Sequence, residues 1–240
     1  MGDPIMDDSD NTILCHKHGF LVVSIPYLRA PTYQFPAPVH SCVAMIRAVL
    51  DDQSIRYDRS KKVAVLGFSA GGNLALTCTQ LLKDRVGGAV SIYPVVDMLT
   101  QPEEKEARGR KAPGRKRDPL GWTIKPLDWA YIPAGQDLKD PLLSPRYAAR
   151  EQLVDKVCVA SCEFDLLCTE VEEMMEGLAV GESGTKKALE GGAKGWEKGG
   201  LRWENIEGVE HGFNLKKKNK EVVERFHEGI AGWLRREVFC

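Results

Sequence analysis

Short apolar runs alternate along the chain with longer stretches whose apolar positions recur every three or four residues. The runs at 20–25 (Phe-Leu-Val-Val-Ser-Ile), 63–66, 88–93, 156–161 and 201–206 read as strands, with Pro26 and Pro94 helping to end the first and third. Helical period marks residues 39–50 (Val43, Ala44, Ile46, Ala48, Val49, Leu50) and 70–82 (Leu74, Ala75, Cys78, Leu81, Leu82). Residues 169–178 read as a further helix. A last one follows Asn219, a candidate cap, with an apolar stripe of Val222, Val223, Phe226, Ile230, Trp233 and Leu234. Strands that are apolar throughout are buried on both faces. Alternating with amphipathic helices, they predict an α/β protein with a mostly parallel sheet flanked by helices.

Two stretches break the alternation. Residues 101–118 are polar and carry a basic cluster of Arg108, Arg110, Lys111, Arg115, Lys116 and Arg117; residues 181–200 are rich in Gly and Lys. Both read as solvated loops or insertions, and the first also has the composition of a lid or an anionic-partner patch. The expected organisation is a single domain over 1–240, with cap or insertion segments near 100–150 and 181–200.

Composition narrows the function classes. At 240 residues, 43% hydrophobic and 28% charged, the chain can bury a sizeable core, which excludes disorder and a disulfide-stapled miniprotein. Its 33 basic and 34 acidic residues leave a net charge of −1, so no global field favours nucleic acid or an anionic membrane, and the basic cluster lacks interleaved aromatics. Seven scattered cysteines without a C-x-x-C predict free thiols in a reducing compartment. No signal-peptide pattern opens the chain, Gly2 does not fit the myristoylation pattern, and Cys240 is not placed for prenylation. The apolar stretches at 20–27 and 89–96 are too short to span a bilayer. The expected location is cytoplasmic, with no transmembrane segment.

The strongest chemical signal is Gly67-Phe68-Ser69-Ala70-Gly71-Gly72. G-x-S-x-G arises by chance in roughly one chain in ten of this length, so context decides. Here it follows an apolar strand and opens a helix, the setting of a nucleophile elbow. The turn strains Ser69 and lifts its hydroxyl at the carboxyl end of the sheet. Gly67 and Gly71 are expected where side chains would collide, and the Ala70 N–H at the helix start can face an oxyanion. The competing reading is a tight strand–helix turn of any doubly wound protein. A serine nucleophile needs a base oriented by an acid, in the chain order Ser, Asp or Glu, His. Only His211 and His227 lie downstream. His211 follows the last strand in a loop, whereas His227 sits inside the final helix and reads as structural. Asp165 follows the fourth strand, with Glu163 as the fallback acid; Asp137 and Asp140 belong to a polar loop with no strand before them. The cluster Cys15-His16-Lys17-His18 lacks a second ligand pair spaced for a metal site. No metal and no cofactor are expected. Trp122, Trp129 and Trp233 read as core or cap packing.

These residues also carry a family resemblance. Val22-Val23-Ser24-Ile25-Pro26-Tyr27-Leu28-Arg29-Ala30-Pro31 with Phe35-Pro36-Ala37-Pro38, the elbow 67–72 with Gly72, Tyr93-Pro94-Val95-Val96-Asp97, Ser144-Pro145, Cys162 to Asp165 and His211-Gly212-Phe213 resemble segments of one group. It is the hormone-sensitive-lipase-like branch of the α/β-hydrolases, the alpha/beta hydrolase fold-3 esterases and lipases. The resemblance implies Ser69 as nucleophile, His211 as base, Asp165 as orienting acid and a small-molecule ester as substrate. It also implies an upstream H-G-G-G segment supplying most of the oxyanion hole, which this sequence does not contain. The expected fold therefore lacks N-terminal strands, one of which would lie between the strands at 20–25 and 63–66. Pro26 and Phe68 replace two aspartates of the family pattern. The expected activity is ester hydrolysis through an acyl-enzyme, impaired by the incomplete oxyanion hole. The alternative is a non-catalytic module or fragment binding a small apolar ligand or a protein partner.

Overall fold

A computed structural model describes residues 7–240. The readings made on residues 1–6, including Gly2, lie outside the described residues. Helices and strands follow in the order α1 (Asp8–Thr12), a single π-helical turn (Ile13–Lys17), α2 (Ala37–Asp51), β1 (Ala64–Phe68), α3 (Ala70–Gln80), β2 (Gly88–Ile92), α4 (Pro102–Arg108), α5 (Gly121–Tyr131), β3 (Lys156–Phe164), α6 (Cys168–Val180), β4 (Lys187–Ala188), β5 (Lys194–Lys198), β6 (Leu201–Glu210) and α7 (Lys220–Glu237). The sheet order is β1-β2-β3-β6-β5-β4. The first four strands in that order are parallel, and β5 and β4 add an antiparallel edge.

Side chains alternate across the strands and divide the core between two faces. On β3, Val157 and Val159 pack with Val171, Met174 and Met175 of α6. Cys158, Ala160 and Cys162 point the other way, against Phe226, Ile230, Trp233 and Leu234 of α7. The α2 residues Val39, Val43 and Ile46 meet Leu74 and Cys78 of α3 and Leu82 just past it. Trp233, predicted as packing, is 1% exposed. Asn219 precedes α7, but its side-chain amide donates to Phe213 O rather than capping the helix.

Four expectations need correction. Residues 20–25 form no ladder. Leu21, Val23 and Ser24 are exposed, while Phe20 packs on Phe239 and Ile25 on the α2–α3 cluster; Ile25 packs on the parity that Leu21 and Val23 expose, so the segment breaks a strand's alternation and has no hydrogen-bonded neighbour strand. Residues 101–118 are not wholly loop, because α4 is held by a buried Lys105–Glu170 pair (2.6 Å). Residues 181–200 contain β4 and β5, anchored by two buried side chains, Leu189 and Trp196, the latter donating its indole N–H to Glu176. Trp122 and Trp129 are 71% and 80% exposed, so neither is core; Trp122 instead lies under the Arg117 guanidinium.

Candidate active site

Parallel strands of this kind deliver their carboxyl ends to one rim of the sheet, where ligands bind in open α/β folds. Ser69 directly follows β1, Asp165 follows β3 and His211 follows β6. The structure brings all three together. Ser69 Oγ lies 2.9 Å from His211 Nε2, and His211 Nδ1 lies 2.6 Å from Asp165 Oδ2. With Nδ1 protonated, the ring donates to the carboxylate and presents a lone pair to the serine hydroxyl.

Ser69 has φ 53° and ψ −116°, a strained backbone for a non-glycine residue. It is held there by its N–H to Ile92 O (2.8 Å) and by Asn73 N–H to its own carbonyl (3.0 Å). A Cβ on Gly67 would stand 2.1 Å from Gly71 O, so the first elbow glycine is required. Gly71 is a correction: a Cβ there meets nothing within 4 Å. The second crowded position is Gly72, where a Cβ would lie 2.9 Å from Ser91 Oγ. Ala70 is the first residue of α3, placing its N–H in the unsatisfied first turn.

Asp165 is fully buried, and its second oxygen accepts the Leu167 amide (3.0 Å). Glu163 turns elsewhere: it pairs with Arg110 (3.0 Å) and accepts the Gly208 amide (2.9 Å), and the Gly208 bond holds its carboxyl below the usual range. His227 is buried in α7, its Nδ1 on Val223 O (2.8 Å) and its Nε2 facing Asp10 (3.1 Å), far along the chain from the elbow. Asp137 and Asp140 accept local backbone amides in their loop. His18, from the Cys15–His18 cluster, is buried, and its carbonyl accepts Arg235 (2.7 Å). Among the described residues no group of three His, Cys, Asp or Glu side chains is placed to hold a metal, and no helix is long and apolar enough to cross a membrane.

Sequence reasoning missed three neighbours. Tyr93, at φ 39° just past β2, sets its ring centroid 4.6 Å from that of His211, the two planes tilted by 59°. Its hydroxyl donates to Asn214, which in turn donates to Asp10 (2.9 Å). Burial pushes the Tyr93 phenol well up, which keeps it a neutral donor. The signal available was its place between an apolar strand and Pro94. Asp118 is the third, on the segment between β2 and β3.

Fold and site together define an α/β hydrolase-type protein. The sequence matches the family described as alpha/beta hydrolase fold over residues 1–195. The chain belongs to that family, and the hormone-sensitive-lipase-like resemblance is consistent with it. It is 28% identical over 170 residues to an arylesterase of Saccharolobus solfataricus, covering 70% of this chain and 54% of that one. It is 27% identical over 183 residues to the carboxylic ester hydrolase LipN of Mycobacterium tuberculosis, covering 74% and 49%. The solved Pyrobaculum calidifontis esterase superposes with a TM-score of 0.75 at 25% identity, covering 96% of this chain and 72% of that one. The chain spans about half the length of the curated relatives it matches.

Proposed function

We propose that this chain is a serine hydrolase acting on a small carboxylic ester. The observation that carries the reading is the continuous hydrogen-bonded series Ser69–His211–Asp165, assembled at the rim by three different strands. His211 would take the Ser69 proton as Oγ attacks the ester carbonyl. Asp165 would hold the Nδ1–H tautomer and stabilise the imidazolium. The Ala70 N–H would donate to the oxyanion. His211 would then return the proton to the departing alkoxide, and an activated water would release the acid from the acyl-serine. The arylesterase and carboxylic ester hydrolase relatives support an ester rather than an amide as substrate.

The glycine donors of the H-G-G-G motif do not occur in this sequence. Loss of one oxyanion donor costs about 10²–10³ in rate in a studied protease. We therefore expect slow turnover from these 240 residues. The pairing of Arg108, Arg110 and Arg115 with Glu173, Glu163 and Glu210 supports the reading that no nucleic acid binds the basic cluster. The cytoplasmic location rests on the cysteine pattern and belongs to the same proposal.

Fluorophosphonate labelling tests the function. Wild type should label and Ser69→Ala should not, with both folded by circular dichroism. A folded wild type that never labels favours the non-catalytic module, with its ligand sought by saturable binding.

A further inference from the structure

The segment joining β2 to β3 lies across the loops that carry the acid and the histidine. Gly109 passes so close that a Cβ there would stand 3.2 Å from Leu166 Cα and 3.6 Å from Asp165 O. Arg110 reaches Glu163, two residues before Asp165, and Arg115 reaches Glu210, the residue before His211, at 2.6 Å. Asp118 completes the contact. Its Oδ2 accepts the Leu166 amide, the peptide directly after Asp165, at 2.8 Å. Its Oδ1 accepts the Leu120 amide at 2.8 Å, and its own N–H donates to Glu106 at 3.1 Å. The residue is 8% exposed.

We propose that Asp118 is a positioning residue for the triad: it fixes the peptide that follows Asp165 and sets a second negative charge beside the Asp165–His211 pair. The catalytic consequence rests on the serine-hydrolase reading; the effect on His211 does not. A buried carboxylate that spends both oxygens on amides of two different segments locks the inserted segment to the acid loop. In general an anion held beside an imidazole favours the imidazolium over the neutral ring. The other groups facing His211 are Asp165, the neutral Tyr93 phenol and the Ser69 hydroxyl, while the adjacent Glu210 is offset by Arg115 and Lys216. The coupling is visible from the Asp118 side as well. Burial raises its carboxyl above the ordinary range against the pull of the Leu120 amide, Asp165 pushes further up, and the Leu166 amide and His211 pull down.

The test is an NMR titration of the His211 ring protons, paired with the rate of Ser69 phosphonylation. Asp118→Asn keeps the shape, removes the charge and turns an amino group toward one of the two N–H donors. We expect the His211 midpoint to fall when the charge is removed. We also expect labelling to slow by about tenfold, the factor that 1.4 kcal/mol represents. Asp118→Glu should restore the midpoint but not the full labelling rate, because charge returns without the amide geometry. An unchanged midpoint in Asp118→Asn overturns the proposal. Should that variant not fold, Asp118→Glu decides: a retained midpoint with slowed labelling supports the proposal, and an unchanged labelling rate overturns it. A shifted midpoint in a protein whose serine never labels leaves Asp118 as proposed and removes the hydrolase reading instead.

Discussion

At Ser69 the backbone adopts a conformation that few side chains tolerate, and the crowding around Gly67 explains why the turn has no slack. Gly67→Ala must drive α3 away from β1, because the new Cβ would overlap Gly71 O at 2.1 Å. Gly71→Ala enters open space. Fluorophosphonate labelling should therefore vanish in the first variant and persist in the second, an order that glycine count alone would not give. The two carboxylates near the fourth predicted strand separate as cleanly. Asp165→Asn presents an amide N–H where His211 Nδ1 donates, favouring the wrong tautomer; in a protease triad this substitution costs about 10⁴ in kcat. Glu163→Gln disturbs only a half-exposed pair with Arg110 and the Gly208 bond, and should cost less than about fivefold. Measuring kcat on one activated ester for both variants checks the assignment, and equal losses would sink it. Ser69, Asp165 and His211 were legible because each stands shortly after a segment that reads as a strand, so that chain order places it at the rim. Asp118 was not, because what brings it to the acid loop is the path of the chain between β2 and β3; Tyr93 also follows an apolar run, but a phenol there reads equally as packing.

The elements differ in how much the sequence discloses about them. β1, β2 and residues 157–162 of β3 announce themselves because they are all apolar or small, which only burial on both faces allows, whereas β6 carries Arg202, Glu204, Asn205, Glu207 and Glu210 among its apolar residues. The β4–β5 hairpin hides in a Gly- and Lys-rich stretch because an edge pair needs few buried anchors, here Leu189 and Trp196. Helix α4 hides for a different reason. Its buried group is a lysine: Lys105 is 4% exposed and its ammonium lies 2.6 Å from Glu170. Glu170 also accepts the Val96 amide at 2.8 Å. Burial pushes the Glu170 carboxyl up to about 7, with the Lys105 charge opposing. A carboxyl raised above its unfolded value binds more protons folded than unfolded, so stability falls as pH rises from the unfolded value, near 4.5, through about 7. Lys105→Met removes the opposing charge, raises Glu170 further and widens that window upward. Urea unfolding should show a loss of about 3 kcal/mol near pH 8, the range for breaking a buried pair. At pH 5, where Glu170 is protonated, the loss should be clearly smaller; a loss independent of pH would assign the cost to packing instead.

On the scale of the whole molecule, the sheet ends at β1, and the run at 20–25 before it joins no ladder. Residues 20–25 expose Leu21 (60%) and Val23 (42%) and tuck Phe20 and Ile25 against two different clusters, without a strand's alternation. They are fixed at their start by the Phe20–Phe239 edge contact and by Arg235 over the Phe20 ring. Sequence showed the apolar run but not the missing ladder, since a strand is defined by its partner and not by its own residues. β1 hydrogen-bonds to β2 on one side, and no strand borders its other side among the described residues. A parallel strand left in that state exposes half its amides to exchange. Those of β1 should exchange well ahead of the amides of β2, which β1 and β3 flank. The aligned stretches cover only about half of the curated relatives, 54% and 49%. A longer chain carrying an upstream glycine-rich strand would be expected to do two things at once: to slow exchange along β1 by pairing its free edge, and to raise ester turnover by about 10²–10³ as backbone donors join Ala70 at the oxyanion. The two readouts are coupled because one strand would serve both purposes. Protection of β1 without faster turnover would mean that Ala70 already suffices for the oxyanion. Faster turnover without protection would mean that the donors arrive from somewhere other than the sheet edge.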